Sequence, residues 1–267
     1  MAAVFSSLLL SLALPNEIFH LGFPPAAVFA LIPLYIALCT SRSYLRTATL
    51  MAVHVFTVHM VSSWWLSNFH GYGLFSLGAS AAGTAFIGFC CGIILHFPFS
   101  KVSFKADNVI TPEKDGLRPV KRTLIFSSLW IFWEFIKSTG ALGYPWGTLS
   151  MASYNWKLVT QIADITGVWG ISFLFALFNS TLAEILIFAA LREKNRSFAL
   201  SPAFCLVKGT AVLTALTLVY GSVQYFIPRT PVKHVNTVVV QQNIDPWEAD
   251  ENECIKVSKR LTDEALD

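Results

Sequence analysis

The sequence predicts an α-helical polytopic membrane protein with about seven transmembrane helices, followed by the first strand and helix of an incomplete α/β domain. Three observations carry that reading. Of 267 residues, 54% are hydrophobic and only 13% charged, with a mean hydropathy of +0.57. A soluble domain carries about a quarter charged residues. The apolar residues gather into long runs, and a helix needs roughly 20 of them to cross the hydrocarbon. After the last run the pattern changes to a β-branched stretch and then a charged, helix-compatible one.

In chain order the runs are Ala2–Leu14, Phe23–Leu38, Thr47–Leu66, Leu74–Phe97, Thr123–Ser138, Gly167–Ala190 and Ala203–Ile227. The first is short, and no Lys or Arg precedes Arg42. A secretory signal peptide has a positive n-region, so this run reads as a short span or re-entrant helix. The second to seventh runs read as spans. Small residues Gly78, Ala79, Ala82, Gly83 and Ala85 in the fourth suggest close helix packing. In the third, His54 and His59 are five apart and do not share a helical face, so each reads as a packing residue. Asn179 and Glu184 in the sixth read as bonds to neighbouring helices, and Lys208 in the seventh can snorkel.

Charge orients the runs. The even loops hold Arg42 and Arg46; then Lys101, Lys105, Lys114, Arg118, Lys121 and Arg122; then Arg192, Lys194 and Arg196. The odd loops hold only Lys137 and Lys157. The positive-inside rule puts the even loops in the cytoplasm. The N-terminus is then inside, and everything after Ile227 is outside. The net charge of +3 is modest and not gathered on one face, which argues against nucleic acid as a partner. Cys39, Cys90, Cys91, Cys205 and Cys254 form no zinc spacing and no regular framework, so no disulfide, metal site or cofactor is expected.

Two linkers differ in kind. Lys101–Arg122 is polar, contains Pro112, Gly116 and Pro119, and reads as a plain loop. Glu134 to Ser153 reads EFIKSTGALGYPWGTLSMAS. A span that only crosses lipid has no use for a carboxylate, so an ionisable residue at membrane depth is a functional candidate. Glu134 and Lys137 are three apart on one helical face and could also neutralise each other. After them, Pro145 fixes φ, and Gly143 and Gly147 permit unusual dihedrals on either side. Together they would aim the Trp146 indole in one direction, whereas Tyr154 and Trp156 read as an interfacial aromatic belt.

The tail supplies a strand over His234–Gln241 (HVNTVVVQ), a turn at Asn243–Trp247 (NIDPW) and a helix within Ala249–Asp267. Its 36 residues from Val232 are too few to bury a core of their own, since fewer than about 40 rarely suffice. The expected division is residues 1–231 as the transmembrane domain and 232–267 as the start of a truncated second domain.

Trp133–Gly147 and Gln161–Asn179, followed after the seventh run by Val238–Trp247, resemble bacterial apolipoprotein N-acyltransferases. The resemblance implies a membrane part joined to a periplasmic carbon–nitrogen hydrolase (nitrilase-like) domain, in the bacterial inner membrane. It implies an acyltransferase in which a cysteine thiolate takes an acyl chain from a phospholipid. The N-terminal amine of diacylglyceryl-cysteine in a lipoprotein then takes it from the thioester. The implied partners are therefore a phospholipid donor, a diacylated lipoprotein acceptor and membrane lipids. The family's catalytic Glu, Lys and Cys lie downstream of the first strand and helix, and this chain ends at Asp267 before them. No catalytic residue is carried onto it, Cys254 included, and the chain alone is expected to be inactive. Gln242 stands where many relatives have Gly. The resemblance assigns Trp146, Tyr144 and Pro145 to a lipid-side entrance, Trp247 to the mouth of the active site, and Glu134 and Lys137 to the end of the same span. The alternative reading is a non-catalytic scaffold or transporter-like remnant of the family.

Overall fold

The computed structural model describes residues 1–16, 19–69, 71–99, 118–140, 143–191, 201–228, 230, 233–245 and 250–266. The expected loop bases Lys101, Lys105, Lys114, Arg192, Lys194 and Arg196 lie outside these, as does Trp247. The chain divides into two units, Met1–Phe226 and Ile227–Asp267.

In the first unit every apolar run is helical. The helices are α1 (Ala2–Ala13), α2 (Pro24–Ala27), α3 (Ile32–Cys39), α4 (Tyr44–Ser62), α5 (Gly73–Phe99), α6 (Arg118–Ser138), α7 (Lys157–Thr160), α8 (Ala163–Leu191) and α9 (Pro202–Phe226). By length and composition, three stretches could cross a membrane: Gly73–Phe99, Ala163–Ala190 and Ala203–Phe226. At 1.5 Å per residue each exceeds the ~30 Å hydrocarbon thickness. The helices α4 and α6 have 19 and 21 residues but carry Arg, His, Glu and Lys side chains. The outward face of α9 is apolar, with Val212, Leu216, Val219 and Val223 each more than half exposed.

The second run is not one helix. It breaks between α2 and α3, and the break is held from α8. Asn179 Nδ2 donates to Ala27 O at 2.8 Å and its Oδ1 accepts from Leu31 N at 2.9 Å. Ser6 Oγ donates to Ala30 O at 2.5 Å. Buried backbone groups freed by such a break need partners, and here side chains of α8 and α1 take three of them. A second break lies in α8 at Gly167, whose φ of 64° only glycine adopts readily.

Close helix packing falls on other small residues than expected. Gly78 and Gly83 have open space where a Cβ would be. The pair α4–α5 closes instead on Gly88 and Gly92: a Cβ at Gly92 would stand 2.6 Å from Ala48 Cα, and one at Gly88 2.6 Å from Val55 Cγ2. Ala81, Thr84, Gly88, Cys91 and Leu95 repeat every three or four residues and, with Gly92, lie on the buried face of α5. Of the expected small residues, Ala79, Ala82 and Gly83 are exposed, whereas Ala85 packs against the core.

The helix α6 carries a buried stripe of mixed chemistry. Arg122, Phe126, Trp130 and Glu134 recur every four residues, and each is at most 3% exposed. Around it Tyr35, Phe99, Phe126, Trp130 and Trp133 pack ring to ring at centroid separations of 4.9–6.2 Å. At one end Arg122 Nε and Nη2 donate to Glu184 Oε1 and Oε2 at 2.7 and 2.9 Å, and Tyr35 Oη donates to Oε1 at 2.5 Å. The arginine read as a loop base is therefore a buried partner of α8 and α3. Glu184 and Asn179 do bond neighbouring helices, as their positions suggested.

In the second unit α10 (Glu251–Leu266) forms where a helix was expected. Asp250 Oδ1 caps it by accepting from Asn252 N and Glu253 N. No strand forms among the described residues of His234–Gln241, which corrects the expected one. A strand exists through hydrogen bonds to a neighbour, and β-branched composition alone supplies no partner; Val239 is 93% exposed. Gln242 Oε1 accepts from Ser258 Oγ of α10 at 2.8 Å, and the left-handed residue is Asn243, at φ 47°.

Candidate functional site

The segment after α6 is not a floating loop. It comprises a turn at Gly143–Thr148, a 3-10 helix at Leu149–Ser153 and then α7. The last turns of α6 hold it from beneath. Tyr144 N donates to Lys137 O at 2.7 Å, capping a helix-terminal carbonyl that has no intrahelical partner. Lys137 Nζ donates to Trp146 O at 2.7 Å and lies 4.8 Å from the Trp133 ring centroid. Glu134 Oε1 accepts from Leu149 N at 2.7 Å, the first residue of the 3-10 helix, and from Trp130 Nε1 at 3.0 Å. Its other oxygen is enclosed without a partner in hydrogen-bond geometry, although the Ser172 hydroxyl is close enough to act on the carboxyl.

Glu134 is 0% and Lys137 5% exposed. No direct ion pair joins them among the described residues, but each lies within the other's field. Their opposite charges are spent on different backbone groups of one loop. Lys137 also sits in the last turn of α6, where a cation is favoured by the helix dipole.

The tryptophan is fixed by α4. Trp146 Nε1 donates to Ser62 O at 2.7 Å, another helix-terminal carbonyl. Its ring meets Trp65 edge-on, with centroids 6.1 Å apart. Gly147 has φ 75°, and a Cβ there would stand 3.1 Å from Ser62 Oγ. Gly143 serves by close approach, since a Cβ would meet Ser138 O at 2.7 Å. Tyr144 lies 5.0 Å from the His59 ring, and His59 Nε2 shares a 2.9 Å hydrogen bond with Ser80 Oγ. Ser150 N donates to Ser172 Oγ at 3.1 Å, tying the 3-10 helix to α8.

The structure thus brings together five of the six expected site residues. Pro145 is exposed, Tyr144 and Trp146 are half-buried, and Glu134 and Lys137 lie underneath. The sixth, Trp247, lies outside the described residues. Sequence reasoning missed Ser62, Trp65 and Leu149, which approach from helices or turns with no local signal. The presumed belt residue Trp156 stacks on Phe175 instead, at 5.9 Å and 29°, whereas Tyr154 is 36% exposed. Among the described residues, no group of three His, Cys, Asp or Glu could hold a metal ion.

Comparison with known proteins adds an independent line. A family model described as the apolipoprotein N-acyltransferase N-terminal domain matches residues 6–181. Apolipoprotein N-acyltransferase 2 of Treponema denticola is 37% identical over 264 residues, covering 98% of this chain and 47% of that protein. The protein of the same name from Treponema pallidum is 35% identical over 243 residues, covering 91% and 40%. The apolipoprotein N-acyltransferase of Borreliella burgdorferi is 28% identical over 269 residues, covering 99% and 46%. The chain spans about half the length of the curated relatives it matches.

Proposed function

Because the chain belongs to the apolipoprotein N-acyltransferase family, we propose that it supplies the membrane-embedded part of an enzyme that acylates lipoproteins. The match of residues 6–181 to the family's N-terminal domain carries this reading. The reaction proposed moves an acyl chain from a phospholipid ester to a cysteine thiolate, releasing lysophospholipid. The N-terminal amine of a diacylglyceryl-cysteine then attacks the thioester, forming the amide and freeing the thiol. Splitting one acyl transfer into two steps in this way is what a covalent nucleophile achieves. The catalytic Glu, Lys and Cys belong to the carbon–nitrogen hydrolase part, whose start we place at residues 232–267, beyond a transmembrane domain of residues 1–231.

The contribution of this chain is access. Acyl chains reside in the bilayer, whereas the acceptor amine lies outside it. Tyr144, Pro145 and Trp146 line the lateral entrance on the outer side, with Trp247 at the mouth of the active site. Supporting this, the loop presents Pro145 and parts of two aromatic rings outward while its polar backbone is satisfied from within. The transporter-like alternative finds no such support. In the α2–α3 break, Ala27 O, Ala30 O and Leu31 N are taken by Asn179 and Ser6 rather than turned to a solute.

Two experiments test the proposal. The chain is grafted in place of the matching stretch of the Treponema denticola relative. That chimera is expected to restore triacylated lipoprotein in a strain depleted of the enzyme, and the 267 residues alone are not. A well-inserted chimera without activity would count against the assignment.

The proposed topology is seven spans with the N-terminus in the cytoplasm and the C-terminus in the periplasm of an inner membrane. It is motivated by the basic residues of the even loops. A reporter active only in the periplasm is expected to be active when fused after Lys233 and silent at Asp115. The reverse pattern would place the tail on the wrong side for its substrates.

A further inference from the structure

The Gly143–Ser153 segment is bound at five points by three helices. Backbone groups of Tyr144, Trp146 and Leu149 attach to Lys137 O, Lys137 Nζ and Glu134 Oε1 of α6. Ser150 N attaches to α8. The Trp146 indole attaches separately, through Nε1 to Ser62 O of α4 and edge-on to Trp65. Each of these atoms is one that the fold would otherwise leave unpaired, and buried polar groups demand partners. The acid and the base are spaced three apart on the last turns of α6. That spacing lets them reach two positions of one loop three residues apart, the Leu149 N–H for the carboxylate and the Trp146 C=O for the ammonium.

We infer that Glu134 and Lys137 are positioning residues for the lipid entrance, acting only through the loop that carries Trp146. This rests on the entrance reading proposed above and deepens it. Neither side chain contacts an incoming acyl chain, because both are enclosed beneath the loop. What they supply is a preset indole. The entrance wall is held in place before lipid arrives, and orientation held in advance lowers the cost of productive binding.

The geometry also states what each group must provide. Glu134 acts as an acceptor, so an amide oxygen serves as well. Lys137 acts as a donor, so a side chain of similar length without N–H does not serve.

The test uses 5-fluorotryptophan incorporated into the chain in nanodiscs, with the Trp146 resonance identified by its absence in Trp146→Phe. The Glu134→Gln variant is expected to leave that resonance in place. Glu134→Ala and Lys137→Met are expected to shift or broaden it. In the chimera, the last two raise the KM for phospholipid about tenfold with kcat within about twofold, and Glu134→Gln stays near the parent.

If Lys137→Met fails to fold, the contrast between Gln and Ala at position 134 still decides. An unmoved Trp146 resonance in Glu134→Ala overturns the tether. Glu134→Gln behaving as badly as Glu134→Ala also overturns it, because charge rather than acceptance would then matter. A displaced resonance with unchanged KM keeps the tether and refutes the entrance. A raised KM with an unmoved resonance refutes the tether and keeps the entrance.

Discussion

Glu184→Ala is expected to destabilise the helical unit strongly. The carboxylate receives two hydrogen bonds from Arg122 and one from Tyr35, at 2.5–2.9 Å, with both charged residues 3% exposed. Truncation leaves a guanidinium buried among Phe99, Phe126 and Tyr35 with its main partner gone. Breaking a buried pair from one side costs about 3–5 kcal/mol. Domains are stable by only about 5–15 kcal/mol in total. For a unit of this size the midpoint should fall by roughly 6–20 °C, read by thermal unfolding in detergent.

The comparison that gives this meaning is the double variant Arg122→Met with Glu184→Leu. Removing both charges also removes both desolvation penalties, so the double variant is expected to melt above Glu184→Ala. A Glu184→Ala protein melting with the parent would show that the pair contributes nothing. A double variant no better than the single one would show that the hydrogen bonds, rather than the stranded charge, set the cost.

Trp146→Ala is expected to lower kcat/KM for phospholipid in the chimera by about tenfold or more, chiefly through a raised KM, since misplacing a substrate by an ångström can cost that much. The change removes the proposed entrance wall and leaves Ser62 O without its indole donor. Stability should drop by only about 1–2 kcal/mol, the scale of one hydrogen bond plus partial apolar burial. Trp156 is a poor control, because it stacks on Phe175 and its loss would disturb packing. Trp64, 40% exposed on the 3-10 turn next to Trp65, is a better one. Trp64→Ala should retain near-parent activity, and Trp146→Phe, which keeps a ring but loses the N–H, should fall between. Equal losses of activity at Trp64 and Trp146 would reduce the latter to generic interfacial surface.

Much of the site was legible in the sequence, for a physical reason. Glu134, Lys137, Tyr144, Pro145 and Trp146 lie within 13 residues, so helical periodicity and turn chemistry place them together. What they do there was not legible. A carboxylate in an apolar run advertises that it needs a partner but does not name it. Leu149 N and the Trp130 indole were each as plausible as lipid or as the neighbouring ammonium. Arg122 shows the same limit. Composition put it in a basic loop, yet its spacing of four to Phe126, eight to Trp130 and twelve to Glu134 marks one helical face. The small residues of α5 were misread because composition reveals which residues allow close approach, and only the neighbour reveals which face is approached.

By itself the sequence determined the helical runs, the charge asymmetry between loops, the helix α10 and the kinship with the acyltransferases. These follow from local composition, from periodicity, and from motifs contiguous in the chain. Only the tertiary structure decided that the second run breaks and is clasped by Asn179, 148 residues from Leu31. It also decided that Glu184 pairs with Arg122 and Tyr35, and that the acid and base of α6 hold a loop. The β-branched tail segment stays unpaired for the converse reason. Hydrogen-bonding demand is written into each residue, but its satisfaction depends on which distant group the packing of helices brings within about 3 Å.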